Sequence, residues 1–264
     1  MASSFARTCG AIDLKETALG LFDLFKGKKS DGDPSTAARD AKKWADKATD
    51  KREQPGVRGE AIEVLAKMGT AEAAAILLRR FTFTIDPSIT DQDEKEVTME
   101  GIVAAGPAAV PEIRAFCEKA ESVTLALRAL REILPPEGYV GEVLGLLSKW
   151  DTEYAKFVDP KLQLLNALDE VKDERVAPVV LEFLEDVNET ARFHAAAALV
   201  TQAGESTIEP LLTAFELEES ARVQKRIAEG FVKLGWKVPA ERIASVRKTL
   251  PHEWRLSEDG TFSQ

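Results

Sequence analysis

The sequence predicts an all-α protein: a right-handed α-α superhelix of about six helical pairs, preceded by a short amphipathic helix. Three observations carry this. The 264 residues are 44% hydrophobic and 30% charged with only 16 Gly and 12 Pro, and stretches rich in Ala, Leu, Glu, Lys and Arg dominate, which favours helix over strand. The one strand-like alternation, Phe81-Thr-Phe83-Thr-Ile85, is too short and isolated to build a sheet. A block ending in a large apolar residue returns at near-constant spacing, the mark of a helical repeat.

The elements follow in chain order. Ala18, Leu21, Phe22 and Phe25 recur at i, i+3, i+4 and i+7, the pattern of an amphipathic helix. It lies within an N-terminal region, 1–34, that ends in the polar, turn-rich run at 27–36. Residues 1–18 read as an upstream extension or a disordered tail. The stretch from Leu19 to Lys29 admits three roles: a cap on the first repeat, a ligand for a partner's groove, or a weak contact with anionic lipid.

The repeat domain is expected at 35–250. Pro111-Glu-Ile-Arg-Ala-Phe116, Pro178-Val-Val-Leu-Glu-Phe183 and Pro210-Leu-Leu-Thr-Ala-Phe215 share one pattern, and Ile76–Phe81, Gly141–Leu146 and Glu241–Val246 fill the same slots without the proline. Successive blocks lie 35, 30, 37, 32 and 31 residues apart. Each block belongs to a first helix, A, which tolerates the proline in its opening turn, where amide donors lack intrahelical partners. Ser206 and Glu209 are spaced as a capping box. A second helix, B, follows each A, with apolar stripes such as Ala61, Val64, Leu65, Met68 and Val223, Ile227, Phe231, Leu234. Gly69, Gly106, Gly204 and Gly235 are placed to end four B helices in the left-handed conformation. Polar insertions at 84–94 and 151–159 lengthen two steps. The expected pairs are 35–50 with 57–69, 71–83 with 92–105, 107–119 with 122–134, 137–149 with 160–172, 174–186 with 189–203, and 206–217 with 220–235. A lone helix at 238–249 and a C-terminal tail at 251–264 complete the chain. One pair alone cannot bury its stripe, so the units must stack around a continuous core.

Residues 178–186 followed by 191–199 resemble a HEAT repeat, in which helix A carries the proline, an Asp closes it and an Arg opens helix B. Arg58, Arg192 and Arg222 occupy that Arg slot, with Lys95 and Lys161 as stand-ins. The short period is similar to that of the HEAT-like repeats of bacteria, including the PBS-lyase type. The resemblance implies a solenoid whose B helices line a concave face, and an arginine ladder that joins units through acids such as Asp186 or Glu218.

Chemistry-bearing residues are sparse. The two histidines, His194 and His252, have no Cys or His at ligand spacing, so no metal or other cofactor is expected. The carboxylates at 86–96 lack the central glycine of an EF-hand loop, and Thr90 or Asp91 is expected to cap a helix there. No nucleophile elbow or phosphate-cradling glycine loop occurs, and Cys117 sits in an apolar stretch that suits a buried, inert thiol. Cys9 and Cys117 give no disulfide framework, which fits a reducing cytoplasm. No apolar run is long enough for a membrane span, and the first residues lack the apolar stretch of a secretory signal.

Charge narrows the partner. The net charge is −10, and residues 151–220 hold 5 Lys and Arg against 16 Asp and Glu. That balance disfavours nucleic acid, whose binding requires cations to displace counterions, and attracts a basic segment as readily as it solvates a face. The expected function is a non-catalytic scaffold or adaptor that binds a protein or peptide partner, a basic one among the candidates. Its expected contacts are the helix-B residues Arg128, Asn166, His194, Lys225, Glu170 and Glu229. The alternative is a HEAT-like enzyme or enzyme subunit, similar either to alkyl-base DNA glycosylases or to bilin lyases. The sequence leaves the oligomeric state open.

Overall fold

A computed structural model describes residues 34–264. The amphipathic segment at 18–25, the residues before it and the linker up to residue 33 lie outside the described residues. The described chain is helical almost throughout, and its helices pair as the periodicity requires. Unit 1 comprises α1 (Pro34–Thr49) and α2 (Pro55–Met68), and unit 2 comprises α3 (Ala71–Leu78) and α4 (Ser88–Ala104). Units 3 and 4 are α5 (Val110–Cys117) with α6 (Thr124–Ile133), and α7 (Pro136–Leu147) with α8 (Asp159–Asn166). Units 5 and 6 are α9 (Val176–Val180) with α10 (Glu189–Gln202), and α11 (Ile208–Leu217) with α12 (Ala221–Leu234); α13 (Ile243–Thr249) follows.

The helices form two layers, A against A and B against B: α1 packs on α3, α3 on α5 and α5 on α7, while α2 packs on α4, α4 on α6, and α10 on both α8 and α12. One continuous apolar core runs between the layers. The repeated A-helix slot explains its spacing: Phe183, Phe215 and Val246 are fully buried, Leu146 nearly so, and Phe81 and Phe116 pack against the core from its margin. The A helices are the irregular layer. Tight 3₁₀ turns extend α3, α5, α9, α11 and α13 at one end or the other, whereas each B helix is an unbroken α-helix. Prolines 111, 178 and 210 stand among the first three residues of α5, α9 and α11, where the missing donor costs little. B helices approach closely where glycine permits. A Cβ on Gly101 would lie 2.6 Å from Ala66, and one on Gly230 would lie 2.4 Å from Val200.

Three local expectations are corrected. Gly69, Gly106 and Gly235 adopt positive φ as expected, but Gly204 does not; α10 ends one residue earlier, with Ala203 at φ 55°. The capping box at Ser206 and Glu209 does not form, because Ser206 lies inside a 3₁₀ turn, Glu205–Thr207, that precedes α11, and Glu209 accepts from Arg242 instead. Neither Thr90 nor Asp91 caps α4. The helix begins at Ser88, so both residues fall in its first turns, and Asp91 is buried in an ion-pair network.

Residues 251–264 are folded. Two short strands, β1 (Arg255–Leu256) and β2 (Phe262–Ser263), pair antiparallel. Phe262 is buried among Phe215, Phe231 and Trp254, with ring centroids 5.5, 5.6 and 6.2 Å away. The Val238 amide donates to the Gly260 carbonyl at 2.8 Å, and the Arg247 guanidinium donates to the Leu256 carbonyl. The hairpin covers the apolar end of unit 6 as a cap.

Candidate interaction surface

Polar side chains stitch neighbouring units together at the A–B turns. Arg58, the fourth residue of α2, donates to the Glu53 carbonyl of its own turn (2.6 Å) and to Glu94 of α4 (2.9 Å). Arg192, the fourth residue of α10, repeats the arrangement in unit 5: it donates to the Asp186 carbonyl (2.8 Å) and makes a bidentate pair with Glu218 at 2.7 and 2.8 Å. Lys161 of α8 donates to the Asp151 carbonyl at 3.1 Å and pairs with Asp186 at 2.6 Å, both side chains fully buried. The ladder between units is therefore present.

Its last rung differs from expectation. Gln224, not Arg222, is the fourth residue of α12, and its amide donates to the carbonyls of Phe215 and Thr249. Arg222 lies two residues earlier on the exposed side, where it pairs with Glu189 at 2.9 Å and covers the Phe193 ring at 3.9 Å. In unit 2 the polarity is reversed. Arg80, extending α3, is buried between Glu94 (2.8 Å) and Asp91 (2.7 Å), and Lys95 closes the network on Asp91 at 2.6 Å. Burial alone would raise the Asp91 carboxyl, but hydrogen bonds from Lys95 and Arg80 outweigh it and hold the group below its ordinary value. At Glu218 the same contest, burial against the Arg192 fork and the Ser220 amide, also ends with the carboxyl lowered.

The six helix-B residues expected to bind a partner are distributed along the stack. Arg128 is exposed on α6 and reaches Glu132 (3.2 Å) and Glu96 of α4 (3.3 Å). Asn166 and Glu170 are exposed at the end of α8 and in the turn after it. Lys225 and Glu229 are exposed on α12 and face each other at 4.0 Å. His194 is partly buried on α10, its Nδ1 2.8 Å from Asp169, which fixes the ring between units 4 and 5. The structure brings Lys225 and Glu229 together and leaves the others apart. Cys117 is buried, and desolvation, aided by the nearby charges of Glu118 and Glu142, pushes its thiol up to about 12. At neutral pH it is a protonated thiol.

A different surface emerges at the A–B turns of units 4 to 6. Of the six large apolar side chains left exposed among the described residues, five lie on A–B turns or the residues bordering them: Ile89, Tyr154, Phe157, Val187 and Leu217; Val232 of α12 is the other. Tyr154 and Leu217 are 82% and 76% exposed. The three turns are joined. The Val187 amide donates to the Thr152 carbonyl at 3.0 Å, Lys161 ties the first turn to the second, and Arg192 ties the second to the third. Between the A helices of units 5 and 6 this edge opens into a cleft of about 750 Å³. Leu181, Leu184, Pro210, Ala214, Val187 and Leu217 form its apolar floor and lip, and Glu185, Asp186, Glu209, Glu218 and Glu219 surround them. Arg192 is the one cation lining the cleft, and Glu218 already holds it. Glu185 and Glu219 have no cationic partner among the described residues.

The family model for the PBS lyase HEAT-like repeat matches residues 57–81, which run from α2 through α3 into the 3₁₀ turn that carries Arg80. Residues 57–81 thus carry a HEAT-like repeat, and further helical pairs stack beyond it. No curated protein matches it. The matched HEAT-like unit contains Arg58 and Arg80, the two cations that clasp Glu94, so the segment that carries the family pattern also carries the first rung of the ladder. The apolar edge escaped the sequence reading because Tyr154 and Phe157 sit in a stretch rich in polar residues. The available signal was a pair of aromatics inside an acidic turn, where solvated loops seldom place them.

Proposed function

We propose that this HEAT-like protein is a non-catalytic scaffold that grips a cationic segment of a protein partner along the A–B edge of units 4 to 6. One observation carries the reading: five of the six exposed large apolar side chains among the described residues lie on the A–B edge, and at units 5 and 6 carboxylates surround two of them, Val187 and Leu217. Exposed apolar groups gathered on one edge mark an interaction site, and the acids around them favour a basic partner and repel an acidic one. The helix-B residues Arg128, Asn166, Glu170, His194, Lys225 and Glu229 would supply polar matching on the neighbouring face. No membrane-crossing helix occurs among the described residues.

Site-specific photo-crosslinking in the native cell tests this. A benzophenone side chain is placed at Leu217 or Phe157, and in parallel at Arg128 or Lys225. The expected result is capture of a discrete protein from the first pair, lost when Glu185 and Glu219 are changed to Lys. Capture confined to the second pair moves the interface to the B helices, and capture from neither overturns the scaffold reading. Tight, salt-sensitive binding of an alkylated DNA duplex would instead favour a glycosylase-like enzyme.

A further inference from the structure

The cleft between units 5 and 6 joins an apolar floor to an acidic rim, so it favours a ligand that carries large apolar side chains next to positive charge. The apolar floor (Leu181, Leu184, Pro210, Ala214) accepts the former, and Glu185 and Glu219 at the rim, free of other cations among the described residues, favour the latter. The chain itself contains such a segment outside the described residues. Leu21, Phe22 and Phe25 are spaced for one helix face, and Lys26, Lys28 and Lys29 follow directly.

We infer that residues 18–29 of one copy occupy the acidic cleft between units 5 and 6 of a second copy. Reach argues for the second copy. Phe25 and Pro34 are nine residues apart, about 32 Å at full extension. Pro34 opens unit 1, and the cleft lies between four and five units further along, roughly 32–50 Å at the 8–10 Å spacing of packed helices. Lys29, which must also reach the rim, is only five residues from Pro34, about 18 Å at full extension. A contact between the start of one chain and the far end of another is heterologous, so copies add head to tail rather than closing as a symmetric dimer. The same occupancy covers Leu217 and Val187 and neutralises part of the acidic edge. This inference goes beyond the scaffold reading and does not depend on any other partner.

The test is sedimentation velocity of the full chain across the micromolar range with two reciprocal variants. One reverses the cleft (Glu185→Lys with Glu219→Lys), and the other reverses the segment (Lys26→Glu, Lys28→Glu and Lys29→Glu). Wild type is expected to gain mass with concentration and to lose it as salt is raised, because the contact is partly ionic. Each variant alone is expected to associate roughly tenfold more weakly or worse, since like charges then face each other. An equimolar mixture of the two restores opposite charges at both kinds of contact and is expected to recover association. One of the two contacts in the mixture is the native one, so a misfolded reversed cleft would stop assembly at a pair; growth beyond two copies requires the reversed cleft to be folded and occupied. Wild type that stays monomeric throughout, or a mixture that does not associate, overturns the inference. A monomeric wild type that still crosslinks a partner through Leu217 would leave the scaffold reading standing while removing this one.

Discussion

The residues that define the stack most sharply are charged ones without access to water. Lys161, Asp186, Arg58 and Arg80 are fully buried, and Asp91 and Glu94 nearly so. Withdrawing ions from water is costly, and a buried pair offsets that cost only with good geometry and saturated hydrogen bonding. Here the geometry is good: Lys161 also satisfies carbonyls of the 151–153 turn, and Asp186 accepts the Asn188 amide at 2.8 Å. Removing one partner strands the other. Lys161→Met is expected to destabilise the fold by about 3–5 kcal/mol in urea denaturation, and Lys161→Met with Asp186→Leu by less than the sum of the two single changes. Strict additivity would show that the pair is not coupled. The lowered carboxyls of Asp91 and Glu218 give a second expectation, with its sign fixed by linkage. A carboxyl whose folded pKa is depressed contributes stability that is complete above its unfolded value, about 3.9 for Asp and 4.3 for Glu, and that is lost as pH falls through the folded value. The melting temperature should therefore fall steeply below about pH 4, and Glu218→Gln should be less stable than wild type at pH 7 while showing a shallower acid limb. Equal acid limbs in the two proteins would dismiss the Glu218 contribution.

At the scale of the element, what was legible follows from period, and what was not follows from phase and from turns. The apolar slots ending at Phe183, Phe215 and Val246 are set by burial, which recurs with every unit, so sequence alone located the helices, although α8 ends at Asn166, six residues before the expected end. Slot identity in helix B depends on where each helix starts. Because α12 is capped by Ser220, whose hydroxyl accepts the Val223 amide, the fourth residue is Gln224, and Arg222 is displaced outward. A shift of two residues on a helix rotates a side chain by about half a turn, enough to exchange a buried rung for an exposed pair. The exposed apolar edge was illegible for a related reason: whether Tyr154 and Leu217 are buried depends on how turns of different units meet, which no single-unit pattern encodes. The end of α10 is a similar case. Ala203 adopts φ 55°, a conformation that costs a residue with a Cβ about 1 kcal/mol, while Gly204 beside it does not use its freedom. Ala203→Gly is expected to stabilise the protein by about 0.5–1 kcal/mol, seen as a higher urea midpoint with an unchanged slope. A lower midpoint would show that the Ala203 methyl packs in a way that outweighs the backbone strain.

For the molecule as a whole, a stack of units that touch only their neighbours has no centre, so its ends decide how it frays. The C-terminal end is closed by a device the repeat period does not contain. The hairpin inserts Phe262 among Phe215, Phe231 and Trp254, and the Val238–Gly260 hydrogen bond pins its turn. Without it the apolar faces of α12 and α13 would meet water. Phe262→Ala removes a buried ring, a change worth about 3–5 kcal/mol in a well-packed core, but nearest-neighbour coupling confines where that loss is felt. Amide exchange followed by mass spectrometry should show α11, α12 and α13 losing protection by one to two orders of magnitude, a gradient of smaller losses through α10, and no change in α2 and α4. The cleft that holds Leu217 belongs to the weakened end, so the same variant should also lose crosslinking from that position while the first two units remain folded. Uniform loss of protection across all units would mean that the stack unfolds as one cooperative body, and the edge could then not be separated from the fold that presents it.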